Sequence, residues 1–109
     1  MEERIKCLLV EPYKLPKLIE IENTLEAKQK IVDGMIETIY LTNDDSVVLI
    51  CNEEGKINDL PLNFILANEN YEEQIVGNVF FTSRNDVDFD SLNEEQIEIL
   101  KDMGIFDLK

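Results

Sequence analysis

Three aspartates alternate in the stretch NDVDFDSLNEEQI (85–97), and Asp86, Asp88 and Asp90 match the first three ligand positions of a calcium-binding helix-loop-helix. The match stops there. A sharp turn requires glycine at the sixth position, which holds Ser91, and a bidentate glutamate at the twelfth, which holds Ile97. Ser91 and Glu94 read better as an S-x-x-E capping box, with the aspartates favoured by the positive end of the helix that follows. No metal site is expected. Cys7 and Cys51 each lie in an apolar run without CxxC spacing, and the chain has no histidine. A nucleophilic thiolate needs a base or cation beside it, so both cysteines read as small buried hydrophobes in a reducing compartment. There is no Ser-His pair, phosphate-binding P-loop or GxGxxG, and among 24 acids any carboxylate pair is uninformative. Neither catalytic residues nor a cofactor are expected, and the protein reads as a non-enzyme.

Charge is the strongest compositional signal, with 24 acids against 10 bases and a net charge of −14. It is uneven: residues 52–100 hold twelve acids against only Lys56 and Arg84, and residues 1–51 hold ten acids against six bases. Such a field repels nucleic acid and membrane surfaces and attracts basic proteins. Asp86, Asp88, Asp90, Glu94, Glu95 and Glu98 are the natural acidic surface for a basic partner. The chain starts MEERIK, without a leader-like apolar run, and nothing approaches the ~20 apolar residues of a membrane span. A cytoplasmic protein is the expectation.

The elements that must position these residues follow from hydrophobic period and local chemistry. A chain of 109 residues with 44% hydrophobic content suits one domain with its own core. RIKCLLV (4–10) reads as a strand with Ile5, Cys7 and Leu9 on one face and Leu8 and Val10 on the other. A turn at Glu11-Pro12-Tyr13-Lys14 leads to a hairpin partner, LPKLIEI (15–21). NTLEAKQKIVDG (23–34) reads as a helix capped by Asn23, ended by Gly34, and buried through Leu25, Ile31 and Val32, with Ala27 or Lys28 flanking that stripe. MIETIYL (35–41) alternates as a strand, TNDDS (42–46) turns it back, and VVLIC (47–51) is an interior strand covered on both faces. Pro61 is placed to start a short helix through Leu66, with Leu62, Ile65 and Leu66 inward. QIVGNVFFT (74–82) reads as one strand interrupted at Gly77, with Phe80 and Phe81 on opposite faces. A last helix follows Ser91, buried through Leu92, Ile99, Leu100 and Met103 and closed by Gly104. The expected fold class is α+β: a single, mostly antiparallel sheet of about five strands packed against two helices, in the order β-β-α-β-β-short α-β-α.

IEIENTLEAKQKIVDGMIETIYL, then VVLICNEEGKINDLPLNF, then QIVGNVFF resemble domain of unknown function 3846. The matching positions are Glu11, Pro12, Leu25, Glu26, Gln29, Asn52, Glu53, Glu54, Gly55, Lys56, Leu60, Pro61, Asn63 and Gly77. Phe64 stands where the pattern often has Arg or Lys, which weakens an anion-binding reading there. The resemblance covers residues 5 to about 83 and implies a phage, mobile-element or Gram-positive bacterial setting, with no activity attached. It makes the strand-exit loop the leading site: Asn52, Glu53, Glu54, Gly55, Lys56, Asn58, Pro61 and Asn63. Gly55 is expected there at positive φ.

Two functions are compatible with these readings. One is a counter-defence inhibitor whose carboxylates occupy a basic, nucleic-acid-binding surface of a host protein. The other is a module that sequesters a nucleotide-type signal between NEEGK and the L-P-x-N segment, where Asn52, Lys56, Asn58 and Asn63 would converge. A third, plainer reading is a structural or regulatory accessory protein with a homo-oligomeric interface.

Overall fold

Odd and even positions of the apolar strands diverge onto two faces, and both faces are buried. In the computed structural model, which describes residues 3–41, 46–67 and 72–107, they feed two separate hydrophobic clusters. The elements are β1 (Arg4–Val10), β2 (Lys17–Glu22), α1 (Leu25–Val32), β3 (Ile36–Tyr40), β4 (Val47–Asn52), β5 (Leu62–Ala67) and β6 (Glu72–Val76). They continue with β7 (Val79–Arg84), β8 (Phe89–Asp90) and α2 (Glu94–Asp102), and a single 3-10 turn (Ile105–Asp107) follows. The main sheet runs β2-β1-β7-β4-β3, with β8 added beside β7, and every pairing is antiparallel. The α+β class, the antiparallel sheet and its two helices are as expected from sequence.

One face of the sheet carries Ile5, Cys7, Val48, Ile50 and Phe80 and is covered by α1 through Val32. The other carries Leu8, Val10, Val47, Leu49, Cys51 and Phe81 and is covered by α2 through Leu100 and by the β5–β6 hairpin through Phe64 and Ile75. Phe80 and Phe81 do fall on opposite faces, and Phe64 stacks on Phe81 with ring centroids 6.1 Å apart. β4 is buried at all its positions between β3 and β7, as its unbroken apolar run required.

Several local expectations are corrected. The segment after Pro61 is not a helix but the strand β5, paired with β6 in a second, two-stranded sheet. Its burial alternates: Phe64 and Leu66 face the core, while Leu62 and Ile65 are exposed. The period is two, which a proline at the strand entry does not disturb. QIVGNVFFT is two strands in two sheets, β6 and β7, with Gly77 at φ 75 turning the chain between them. Helix α1 is capped by Thr24, whose hydroxyl accepts from Ala27 N, and Asp33 rather than Gly34 takes the left-handed conformation (φ 62). Leu25 points to solvent and Lys28 is buried in its place. Helix α2 is capped by a box of Asn93 and Gln96, displacing the Ser91–Glu94 assignment by two residues. Ser91 instead accepts a hydrogen bond from Lys6 N at 2.9 Å, tying the helix entry to β1. Gly104 closes α2 at φ 82, but Met103 is exposed and Gln96 holds the buried stripe with Leu100. The expected turn at 42–46 lies, but for Ser46, outside the described residues.

Candidate functional site

The segment that leaves β4 is built around Asn52, only 7% exposed. Its amide donates to Val32 O (3.0 Å) and Asp33 O (3.1 Å), two otherwise orphaned carbonyls at the end of α1. Its carbonyl accepts from Glu54 N at 2.7 Å. Asn52 therefore clamps the α1 terminus to the strand exit. Gly34 passes so close that a Cβ there would lie 2.6 Å from Asn52 Nδ2.

The rest of the loop divides between packing and solvent. Gly55 is buried, but its φ is not positive; Asp59, at φ 60, takes the left-handed position instead. Gly55 is required for closeness, since a Cβ would meet Val76 Cγ2 at 2.7 Å. Asn63 sits across the hairpin, donating to Val10 O (2.9 Å) and Gly77 O (2.8 Å), so it joins the small sheet to β1. Pro61 O accepts from Gly77 N at 2.7 Å. Glu53, Glu54, Lys56 and Asn58 are exposed, and Lys56 forms an ion pair with Glu73 on β6. Asn52, Lys56, Asn58 and Asn63 thus do not converge on one pocket.

What the loop does border is an open cleft of about 460 Å³, located between β3, the end of β4 and β6. Ile39, Cys51 and Ile75 form its floor; Glu37, Glu53, Glu54, Glu73 and Lys56 form its rim. Sequence reasoning missed Glu37 and Glu73, because only the folding of β6 across the sheet brings them to the loop. The Cys51 thiol lies 3.9 Å from Glu37 Oε1. Burial, then the Glu37 and Glu73 carboxylates, push that thiol up to about 12. Burial likewise raises Cys7 to about 11, against smaller opposing effects of Thr82 and Lys28. Both thiols are held protonated.

The acidic surface is split by the sheet. The Asp88 carboxylate accepts from Asn23 Nδ2 (3.2 Å) on the α1 side, beside the buried Lys28, which donates to Asn23 Oδ1 (2.7 Å) and lies 4.8 Å over the Phe89 ring. Burial lowers the Lys28 pKa, with Asp88 opposing that shift. Asp90 pairs in register with Ser83, whose hydroxyl accepts from Gln96 of α2, so Asp90 belongs to the α2 side. Its carboxylate accepts from Asn85 and Ser91 N. Asp86 is exposed. The three aspartates do not share a centre, and among the described residues no group of three or more metal-binding side chains assembles. On α2, Glu94, Glu95 and Glu98 are all exposed, joined by Asp102 one turn further.

An antiparallel sheet covered by a helix on one face, and by a helix and a hairpin on the other, with an acidic helix outermost, defines a small α+β domain. The chain belongs to the family described as domain of unknown function (DUF3846), whose model matches residues 5–105. No curated protein and no solved structure matches it. No helix among the described residues is long and apolar enough to cross a membrane.

Proposed function

We propose that this protein is a small, non-enzymatic binding protein that lays its carboxylates on a basic, nucleic-acid-contacting surface of a protein partner. In the phage or mobile-element setting that the sequence pattern implies, a host defence protein fits that description. The observation that carries the reading is the outer face of α2. Glu94, Glu98 and Asp102 follow one another at i, i+4 and i+8, and only Lys101 offsets them, 3.6 Å from Glu98. Like charges four residues apart destabilise a helix by a few tenths of a kcal/mol per pair. Asp102 also lies at the helix end where the macrodipole disfavours an acid. Glu94, in the first turn, suits the positive end of the helix, but continuing the row through Glu98 and Asp102 adds repulsion that the fold does not use and a basic groove would.

Capture from a bacterial lysate at about 50 mM and about 500 mM salt tests the reading, because exposed ion pairs are screened over that range. The expected result is a basic nucleic-acid-binding protein retained at low salt, released at high salt, and lost with a Glu94→Lys, Glu98→Lys double variant. Partners that survive high salt, or that bind the charge-reversed variant equally, would overturn it. Sequestration of a nucleotide ligand has less support, since Asn52 and Asn63 spend their amides on backbone carbonyls.

A further inference from the structure

The two edges of the main sheet are finished differently. Lys6 turns its backbone away from β2, donating to Ser91 Oγ and accepting from Leu92 N, so Glu20 opposite it faces the free edge. Part of that edge is capped: Arg4 Nη2 donates to Glu20 O at 3.1 Å, and Thr24 N donates to Glu22 O at 2.9 Å. At the opposite edge, Glu53 N donates to Met35 O and Leu41 N to Val47 O, which sets the phase of the β3–β4 ladder. Ile36, Thr38 and Tyr40 consequently direct their N–H and C=O groups outward. No described residue pairs with them, and of the usual protections of an exposed edge β3 carries only the Glu37 charge, with no proline, lysine or bulge.

A concavity lies on each face of this strand. On one side, Glu37 and Ile39 border the acidic cleft with Glu53, Glu54 and Glu73. On the other, Thr38 and Tyr40 border a space of about 520 Å³ with Asp86 and Asp88, where the Arg84 guanidinium lies 5.2 Å over the Tyr40 ring. A strand added to β3 would send alternate side chains into these two spaces, the geometry of peptide recognition by strand addition.

We propose that β3 is the docking edge for an extended, basic segment of the partner protein, with a lysine or arginine over Glu37 and its sequence neighbour against Tyr40. This rests on the reading of the protein as a binder of basic partners and specifies how that partner is gripped. Charge selects the occupant. The cleft rim carries four glutamates against Lys56, itself paired with Glu73, so an acidic segment, including a second copy's IETIY, meets repulsion there.

The probe is the capped peptide Lys-Thr-Lys-Thr-Lys-Thr-Lys, titrated by calorimetry and by amide exchange. Binding should protect the amides of Thr38 and Tyr40, while its glutamate counterpart should not bind. N-methylation of the lysines or of the threonines should abolish binding in one case only, because only one set of N–H groups faces β3. Thr38→Pro removes an outward N–H, and Glu37→Lys reverses the rim; each should weaken binding by at least about tenfold, equivalent to losing one or two hydrogen bonds or a charge contact. If Thr38→Pro fails to fold, Glu37→Lys and the N-methyl pair still decide. Salt-sensitive binding that ignores both N-methyl sets overturns strand addition while leaving the basic-partner reading standing. Absence of binding by the lysine peptide, or a dimer of the protein itself that forms through β3, overturns the proposal.

Discussion

Replacing Asn52 by alanine separates a structural clamp from a ligand-binding residue. The side chain makes three hydrogen bonds, to Val32 O, Asp33 O and Glu54 N, at 3.0, 3.1 and 2.7 Å. At about 1 kcal/mol net for each, Asn52→Ala should cost about 3 kcal/mol, or roughly 10–15 °C in Tm for a domain of this size. Gly34 supplies an internal control. Its φ is not in the left-handed region, so alanine is allowed by the backbone and opposed only by Asn52 Nδ2, 2.6 Å from the new Cβ. Because Asn52 is bonded on three sides, it cannot swing away freely. Gly34→Ala should cost about 2 kcal/mol in the parent and under about 0.5 kcal/mol once Asn52 is alanine, the signature of directly coupled neighbours. Urea unfolding followed by circular dichroism, at constant m-value, measures all four corners of the cycle. A cost for Asn52→Ala below about 0.5 kcal/mol, or a Gly34→Ala cost indifferent to residue 52, would refute the clamp.

Other expectations follow from single sites. Gly77→Ala must hold φ 75 and place a Cβ 2.7 Å from Leu60 Cδ1, so urea unfolding should show a loss of about 2 kcal/mol. Both thiols are raised in the fold, Cys7 to about 11 and Cys51 to about 12 from 9.0. Above pH 9 the unfolded chain releases those protons first, so their contribution to stability is complete below that pH and is lost as pH climbs toward 11 and 12. An alkaline series of unfolding curves, with Cys7→Ala and Cys51→Ala flattening it, checks this. At neutral pH a thiol reagent should label the native protein only at its opening rate. Glu98→Lys converts three repulsive helix pairs, with Glu94, Glu95 and Asp102, to attractive ones and replaces the Lys101 ion pair by repulsion, so it should raise stability by a few tenths of a kcal/mol at low salt. The same variant should bind a basic partner less tightly.

The sheet was legible wherever burial on two faces wrote itself into the residues. VVLIC admits no solvent side, and adjacent Phe80 and Phe81 must diverge. The helix after Pro61 failed for an equally physical reason. LPLNFIL contains both an i, i+3, i+4 set (Leu62, Ile65, Leu66) and an i, i+2 set (Phe64, Leu66), and only pairing with β6 chooses the second. The capping residues slipped by one or two positions because Asn23, Thr24, Ser91 and Asn93 are all competent caps. Choosing among them takes tertiary partners: Asn23 is claimed by Lys28 and Ser91 by β1. Lys28 was legible only as a flank of the buried stripe, because Asp88 and Phe89, which complete its surroundings, come from the far end of the chain.

Several of the residues that fit the family pattern are thus explained by how the chain packs. Asn52 caps a helix, Gly55 and Gly77 make room for Val76 and Leu60, and Asn63 joins two sheets. A pattern kept for packing needs no ligand. Packing leaves unexplained the exposed Glu53, Glu54 and Lys56 on the cleft rim, a helix face whose neighbouring charges repel, and a strand edge left open while two carbonyls of its counterpart are capped by Arg4 and Thr24. A lysine at position 98 would relieve the helix face, and a lysine on β3 would guard the strand edge. Function in this protein is therefore best sought where the chain keeps a charge pattern or an open edge that its own packing does not require.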